Sequence, residues 1–458
     1  MMQPVGTSRS ILVVGAGIGG ITAALEAAET GKVVILIEKR PFIGGRITQL
    51  YKYFPKLRHP TCGLQINQRR IKANPRLKIL TQAEVEQVTG TSGAYTVTVR
   101  LAPRYVNERC TACGDYADAV EARFADDLDY RMGERKGAYL PYAMAYPPRY
   151  VIDPRIIATH DAERAKDACR YDAIDLEMRE ERIDIQAGAI IWATGWRPYD
   201  AARIHPYGYS DNPNVVTSVE LERMMDPRGP TGGRLVHPSD GKEINSVAFV
   251  QCAGRRSMQP GHLPYCSGSC CAASIKQALY FKDANPRAET TVLYTDLRVP
   301  GARGEDFYRS AQDRGVTFSK GVVREVSTGN DGLEVKLQDK LLDQESVLRP
   351  ELVVLATGLV PNAGIDPDAA AVSNDDGDAP KGVEVGFESV LNLNYCQGTD
   401  LPQLVHGFAD SHFICFPYET RLCARHPGAL PGLGQHDLDH RCAQRGLRRR
   451  DADGLPQG

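Results

Sequence analysis

The chain has 458 residues, 42% of them hydrophobic and 43 of them glycine, with a formal net charge of −2. That length supports two or three domains with cores of their own, and near neutrality removes any electrostatic case for nucleic acid or an anionic membrane surface as partner. No apolar run approaches the roughly 18 residues of a membrane span, and the opening "MMQPVGTSRS" lacks an apolar core of signal-peptide length.

The expectation is therefore a cytoplasmic protein that contacts neither nucleic acid nor membrane. In a reducing compartment twelve cysteines point to metal or redox use rather than to a disulfide framework. Isolated ones such as Cys396 and Cys415 read as small buried hydrophobes.

The first unit is "SILVVGAGIGGITAALEAAETGKVVILIEKR", Ser10 to Arg40. A short β-branched strand runs into G-x-G-x-x-G at Gly15, Gly17 and Gly20, followed by an Ala-rich helix and a second strand ending in Glu38. Gly15 permits the tight turn, Gly17 lets a pyrophosphate approach the backbone, and Gly20 lets the helix pack close to the strand. The helix N-terminus offers free N–H groups to the anion. Glu38 stands where a carboxylate accepts hydrogen bonds from ribose hydroxyls. A dinucleotide site is predicted.

Further along come "GGR" (Gly44 to Arg46), "AEV" (Ala83 to Val85) after the short strand "LKIL", and "AIIWATGWRPYD", a buried strand ending in Ala193-Thr194-Gly195. With these the chain resembles the flavoprotein disulfide reductases, in which such stretches lie beside the flavin nucleotide. The resemblance implies FAD, held by Gly15, Ala16, Gly17, Ile18, Gly19, Gly20, Glu38, Lys39, Gly45, Arg46, Val85, Ala193, Thr194 and Gly195. One feature of that family is missing. Its redox-active C-x4-C pair has no counterpart in "GGRITQLYKYFPKLRHPTCGL", where Cys62 stands alone.

Between Val106 and Asp184 the first domain is interrupted. "ERCTACGDYADAV" begins like a ferredoxin cluster loop, but Tyr116 and Val120 stand where the third and fourth cysteines belong. Cys110, Cys113 and Cys169 are three thiols, with Cys62 a conceivable fourth. Two readings stay open here, a second cluster and a degenerate interface segment. The Tyr- and Pro-rich "GAYLPYAMAYPPRYVID" reads as an ordered loop and a partner or dimer surface.

A second strand–loop–helix–strand unit spans Ile244 to Asp296. Gln251, Cys252, Ala253 and Gly254 occupy the place of a phosphate cradle, and Cys266, Cys270 and Cys271 complete a C-x13-C-x3-C-C set. Cys266 and Cys270 are four apart, so one helical turn would put both thiols on one side. Cys271 is expected to open the helix, where free N–H groups and the helix dipole lower a thiol pKa. Four thiolates suit tetrahedral zinc or a [4Fe-4S] cluster. The spacing lacks paired zinc knuckles, and the position normally given to a nicotinamide facing a flavin favours an electron carrier.

"VQCAGRR…LPYCSGSCCAASIKQA" resembles the cluster motif of the A subunit of heterodisulfide reductase. "GGRITQLYKYFP", "LPQLVHGFADSHFICFPYET" and the two A-T-G segments, the second in "LVVLATGLVPN", are similar to that family as well, over residues 8–422. The resemblance is to the short form in the heterodisulfide-reductase-like complex of sulfur-oxidising bacteria, which lacks the intact ferredoxin insertion of the methanogen type. It implies an FAD- and iron–sulfur-dependent electron-transfer subunit, with Cys252, Cys266, Cys270 and Cys271 holding the [4Fe-4S] cluster. Iron–sulfur subunits of the B and C types are the implied partners, and a homodimer is expected. The rival readings are a stand-alone NAD(P)H-dependent flavoprotein reductase and a zinc-stapled assembly subunit.

The fold class that follows is α/β, two Rossmann-like dinucleotide-binding domains of the flavoprotein disulfide reductase type. The first comprises residues 8–105 and 185–240, split by the insertion at 106–184; the second is 241–365, and 366–422 return to the first. From 423 to 458 the composition turns to Arg, Gly, Pro and His without apolar period, and the flavin-side strand end of the family is absent. That tail reads as disordered, either through a shifted reading frame or as a lineage-specific extension, with His426, His436 and His440 as adventitious ligands at most.

Overall fold

The computed structural model describes residues 5–362, apart from 55, 92, 258, 260, 261, 301, 302, 330 and 331. The expected return segment 366–422, the tail at 423–458, Cys396, Cys415 and the three tail histidines lie outside the described residues.

Strand β1 (Val5–Val14) leads into helix α1 (Ile18–Glu29) and strand β2 (Val34–Glu38). The apolar run of β2 is buried along its whole length, as expected where a parallel strand is covered on both faces. Helix α2 (Thr61–Ala73), strand β3 (Leu77–Thr81) and the hairpin β4 (Ala83–Thr91) and β5 (Ala94–Leu101) follow. The insertion then contributes α3 (Asp115–Asp118), β6 (Arg123–Ala125) paired with β7 (Glu134–Lys136), β8 (Ala138–Tyr139) paired with β9 (Val151–Ile152), and α4 (His160–Ala168). It has a small core of its own around Val106, Tyr116, Ile152, Ile156 and Ile174.

The chain returns as β10 (Glu181–Trp192), parallel to β1, and completes a sheet of order β3-β2-β1-β10-β5-β4. Next come β11 (Trp196–Pro198), β12 (Val215–Thr217) and α5 (Ser218–Met225). The second nucleotide unit supplies β13 (Ser246–Val250), α6 (Cys270–Ala284) and β14 (Glu289–Tyr294), then α7 (Gly304–Asp313). Strands β15 (Thr317–Gly329), β16 (Gly332–Asp339), β17 (Glu345–Leu348), β18 (Leu352–Leu355) and β19 (Leu359–Pro361) close the described chain.

The second sheet has the order β12-β18-β13-β14-β15-β16-β17, parallel from β12 to β15 and antiparallel beyond. Two mostly parallel sheets, each extended by an antiparallel hairpin, make the two Rossmann-like domains. One boundary moves. Strand β12 lies within 185–240, the stretch expected in the first domain, yet it pairs with β18 in the second sheet. "NVVT" is too short and irregular a segment for its sheet to be read from sequence, since pairing and not pattern decides membership. No helix among the described residues is long and apolar enough to cross a membrane.

Two contacts bind the parts together. Strand β11 follows the first A-T-G turn, β19 follows the second, and the two strands pair antiparallel, Trp196 opposite Pro361. The buried Lys276 of α6 forms an ion pair with Glu222 of α5 at 2.8 Å and donates to the Lys52 carbonyl of the first domain at 2.6 Å.

Candidate functional site

The first site grows from the turn between β1 and α1. Gly15 has a φ of +99°, and a Cβ there would stand 2.3 Å from the Ala193 carbonyl oxygen. A Cβ on Gly20 would lie 1.8 Å from the Gly15 carbonyl oxygen, so helix and strand meet only because both residues are glycine. At Gly17 a Cβ would meet nothing within 4 Å. That open space lies at the N-cap of α1, where no side chain satisfies the helix N–H groups. Ile18 and Gly19 form the first turn behind it.

The diglycine segment reaches the same loop. Gly44 donates to the Ala16 carbonyl at 2.8 Å, and a Cβ on Gly45 would come within 2.8 Å of the Gly17 Cα. Glu38, at the end of β2, is buried, and its carboxylate accepts the Ala16 N–H at 2.8 Å and the Arg40 N–H at 2.9 Å. Burial raises its pKa, against the pull of those two N–H donors. Each carboxylate oxygen keeps a free lone pair for a ligand hydroxyl.

Arg46 lies across the site. It donates from Nε to the Trp196 carbonyl at 3.2 Å and from Nη1 to Gln49 at 3.1 Å, with its guanidinium 5.5 Å from the Trp196 ring. Tyr130 of the insertion reaches the same corner, its hydroxyl oxygen accepting from Arg46 Nη1 at 3.4 Å. Ala193 and Thr194 follow β10 directly, and the Thr194 hydroxyl oxygen is buried without a hydrogen-bond partner. The open face at Gly17, the uncapped helix and this orphaned hydroxyl fit a dinucleotide. Two further expected members lie on the neighbouring strand end and strand edge. Lys39 points outward to Glu84, 3.8 Å away, and Val85 is carried by β4 at the sheet edge. Trp196 and Tyr130 were not expected, and no periodicity marks either.

The second site lies at the end of β13. Cys252, Cys266, Cys270 and Cys271 line one pocket together with Arg255, Arg256, Gly268, Asp296 and Arg298. Helix α6 begins at Cys270, so the expected helical turn from Cys266 to Cys270 does not exist. Cys266 arrives instead on a loop that bends at Gly268, φ +72°. That loop is pinned to β19: Tyr265 donates to the Leu359 carbonyl at 2.9 Å, and Ser267 accepts the Leu359 N–H at 2.9 Å.

Cys270, and not Cys271, opens the helix. Nor is either thiol acidified. Burial pushes the Cys271 thiol up to about 11, and it also raises Cys270, which the Arg255 charge pulls down while Cys252 and Cys266 push it further up. Desolvation by burial is the largest influence on both thiols.

Among the described residues no three His, Cys, Asp or Glu side chains converge on a point suited to one metal ion. A tetrahedral zinc site draws four thiolates to roughly 2.3 Å from a single centre. In a cubane each thiolate binds its own iron corner. Four cysteines lining one pocket supply the thiolate donors that either centre takes. Arg255 lines the same pocket, 4% exposed with Nε and Nη1 lacking any hydrogen-bond partner. Arg255 was missed in sequence, although the paired arginines of "CAGRR" directly after Cys252 were the signal.

In the insertion the Tyr116 hydroxyl lies 3.1 Å from the Cys110 Sγ, and the Tyr116 ring is fully buried. Cys113 and Cys62 are exposed.

A family model for FAD dependent oxidoreductases matches residues 10–196. The iron–sulfur A subunit of CoB–CoM heterodisulfide reductase from Methanocaldococcus jannaschii is 39% identical over 363 residues, 77% of this chain and 54% of that protein. One of the corresponding A-type iron–sulfur chains from Methanopyrus kandleri is 36% identical over 414 residues, 86% of this chain and 62% of that protein. The chain spans about half the length of the first of these curated relatives. Its homologues at this level of identity are heterodisulfide reductase A subunits, which marks the chain as an oxidoreductase subunit. Among solved structures, a thioredoxin reductase from T. acidophilum covers 77% of this chain and 78% of its own at 14% identity and a TM-score of 0.40.

Proposed function

From its homology to heterodisulfide reductase A subunits, we propose that this chain carries electrons between FAD and a [4Fe-4S] cluster in a heterodisulfide-reductase-like complex. The observation that carries the reading is the shared pocket of Cys252, Cys266, Cys270 and Cys271, built where a nicotinamide dinucleotide would otherwise sit. Bound FAD supplies conversion between two-electron and one-electron traffic, and the cluster supplies a one-electron carrier.

The chain's own residues bind and hold. Gly17 and the N-terminus of α1 receive the pyrophosphate, Glu38 the ribose, and Arg46 braces the turn at Trp196. The β11–β19 ladder joins the two A-T-G turns, Asn362 donating to the Thr194 carbonyl at 2.7 Å. With the Cys266 loop pinned to Leu359, both sites rest on one rigid junction.

The setting we infer is cytoplasmic oxidation of sulfur compounds, with iron–sulfur subunits of the B and C types as partners and a homodimeric chain. What supports the short form is the insertion: Tyr116 and Val120, which stand where the ferredoxin pattern has cysteines, are buried in its core.

Oxygen-free purification with flavin, iron, sulfide and zinc counts tests the reading. It expects one FAD and about four irons with equal sulfide per chain. Zinc without iron, or flavin bleached by NADH at a catalytic rate, would sink it.

A further inference from the structure

Resting on the cluster assignment just made, we propose that Arg255 is a built-in counter-charge that sets the reduction potential of the iron–sulfur site. Three arginines line the cysteine pocket, and their surroundings differ. Arg256 is paired with Asp296 at 2.6 Å and is partly exposed, and it also faces Cys252, so its guanidinium has acceptors of its own. Arg298 lines the pocket too, and its charge acts on the same carboxylate. Arg255 alone is buried with two of its guanidinium nitrogens unpartnered. A buried guanidinium without an acceptor is costly, and such a group persists where an anion completes the site.

Its placement is enforced by the backbone. The Arg255 N–H donates to the Cys252 carbonyl at 3.1 Å, closing a tight turn with positive φ at Cys252 and Gly254. The side-chain stem crosses the second A-T-G turn, where a Cβ on Gly358 would lie 2.4 Å from Arg255 Cδ and 2.6 Å from Leu263 Cδ1. Gly358 is therefore the clearance through which the guanidinium reaches the thiols. Cys270 lies against the same turn, its Sγ 3.3 Å from the Thr357 carbonyl oxygen.

The sign follows from charge. Four thiolates make the cluster anionic, and reduction adds one more negative charge. An unpaired cation in a low-dielectric pocket stabilises the reduced form more than the oxidised one, and so raises the potential. Arg255 acts through the cluster and is a positioning residue, not a catalytic one.

The test is a mediated redox titration of the full chain, purified without oxygen, followed by the paramagnetic signal of the reduced cluster. Arg255→Met keeps the stem and removes the charge; it should disfavour reduction at least tenfold, a fall of about 59 mV for one electron. Arg255→Lys should recover more than half of that fall. The paired replacement of Arg349→Gln with Glu334→Gln, a surface ion pair outside the pocket, leaves net charge unchanged and should leave the potential unchanged. If Arg255→Met does not retain iron, Gly358→Ala is read in its place: it keeps every charge, displaces the guanidinium and should also lower the potential.

An iron-loaded Arg255→Met protein with an unchanged potential overturns the inference and leaves the cluster assignment standing. So does an unchanged potential in Gly358→Ala. A wild-type preparation without iron overturns the cluster assignment itself, and the inference with it.

Discussion

The Cys270 thiol donates to the Thr357 carbonyl at 3.3 Å, tying the first residue of α6 to the turn that leads into β19. That proximity makes the cysteine pocket an extension of the junction between the domains. Cys270→Ala should therefore remove most of the iron and the broad visible absorption near the flavin bands, with FAD content nearly unchanged. Metal analysis and the visible spectrum of the oxygen-free protein decide it.

Gly17→Val should do the reverse. The residue has an ordinary φ of −70° and open space beyond it, so the apo fold accepts a side chain that fills the pyrophosphate's place. FAD affinity is expected to fall by about 100-fold or more, the equivalent of two lost hydrogen bonds to a charged group, with iron retained. Gly20→Ala is a contrast of a different kind. Its Cβ would meet backbone, so the variant should lose about 3 kcal/mol or more in urea unfolding whether or not FAD is present.

Glu222 has two partners that matter to the cofactor junction, Lys276 and the Tyr51 N–H at 3.0 Å. Glu222→Leu strands a buried ammonium and should cost about 3–5 kcal/mol. Replacing Lys276 by Met in the same chain should restore much of it. Additive losses in that double-mutant cycle would show that the pair does not hold the helices.

Asp226 and Asp129 share Arg223, at 2.9 and 2.8 Å, and so clasp the insertion to α5. Burial pushes the Asp226 carboxyl up, but His59, the Arg228 N–H and Arg223 more than cancel it and hold it at about 2. Its folded pKa lies below the unfolded value of about 3.9. Its contribution is therefore complete above about pH 4 and is lost as the pH falls towards 2, a difference of roughly 2 kcal/mol. Asp226→Asn should be destabilised by about that amount at pH 7 and converge on the wild type near pH 2, read from urea midpoints.

If the insertion holds no cluster, Cys113→Ser should leave the iron count unchanged. A loss of iron on that change would restore the second-cluster reading that Tyr116 argues against.

The sequence alone determined the two nucleotide units, because strand–glycine turn–helix order is local: Gly15, Gly20 and Glu38 stand where backbone contact and chain spacing require them. It singled out the same four cysteines that the fold brings to one pocket. Only tertiary structure decided that Cys266 comes by a loop and not a helical turn, that β12 joins the second sheet, and that Trp196 and Tyr130 close over Arg46. It also decided which of three neighbouring arginines is buried with guanidinium nitrogens unpartnered. Charge and pairing depend on burial and on partners far apart in the chain, and a linear pattern carries neither.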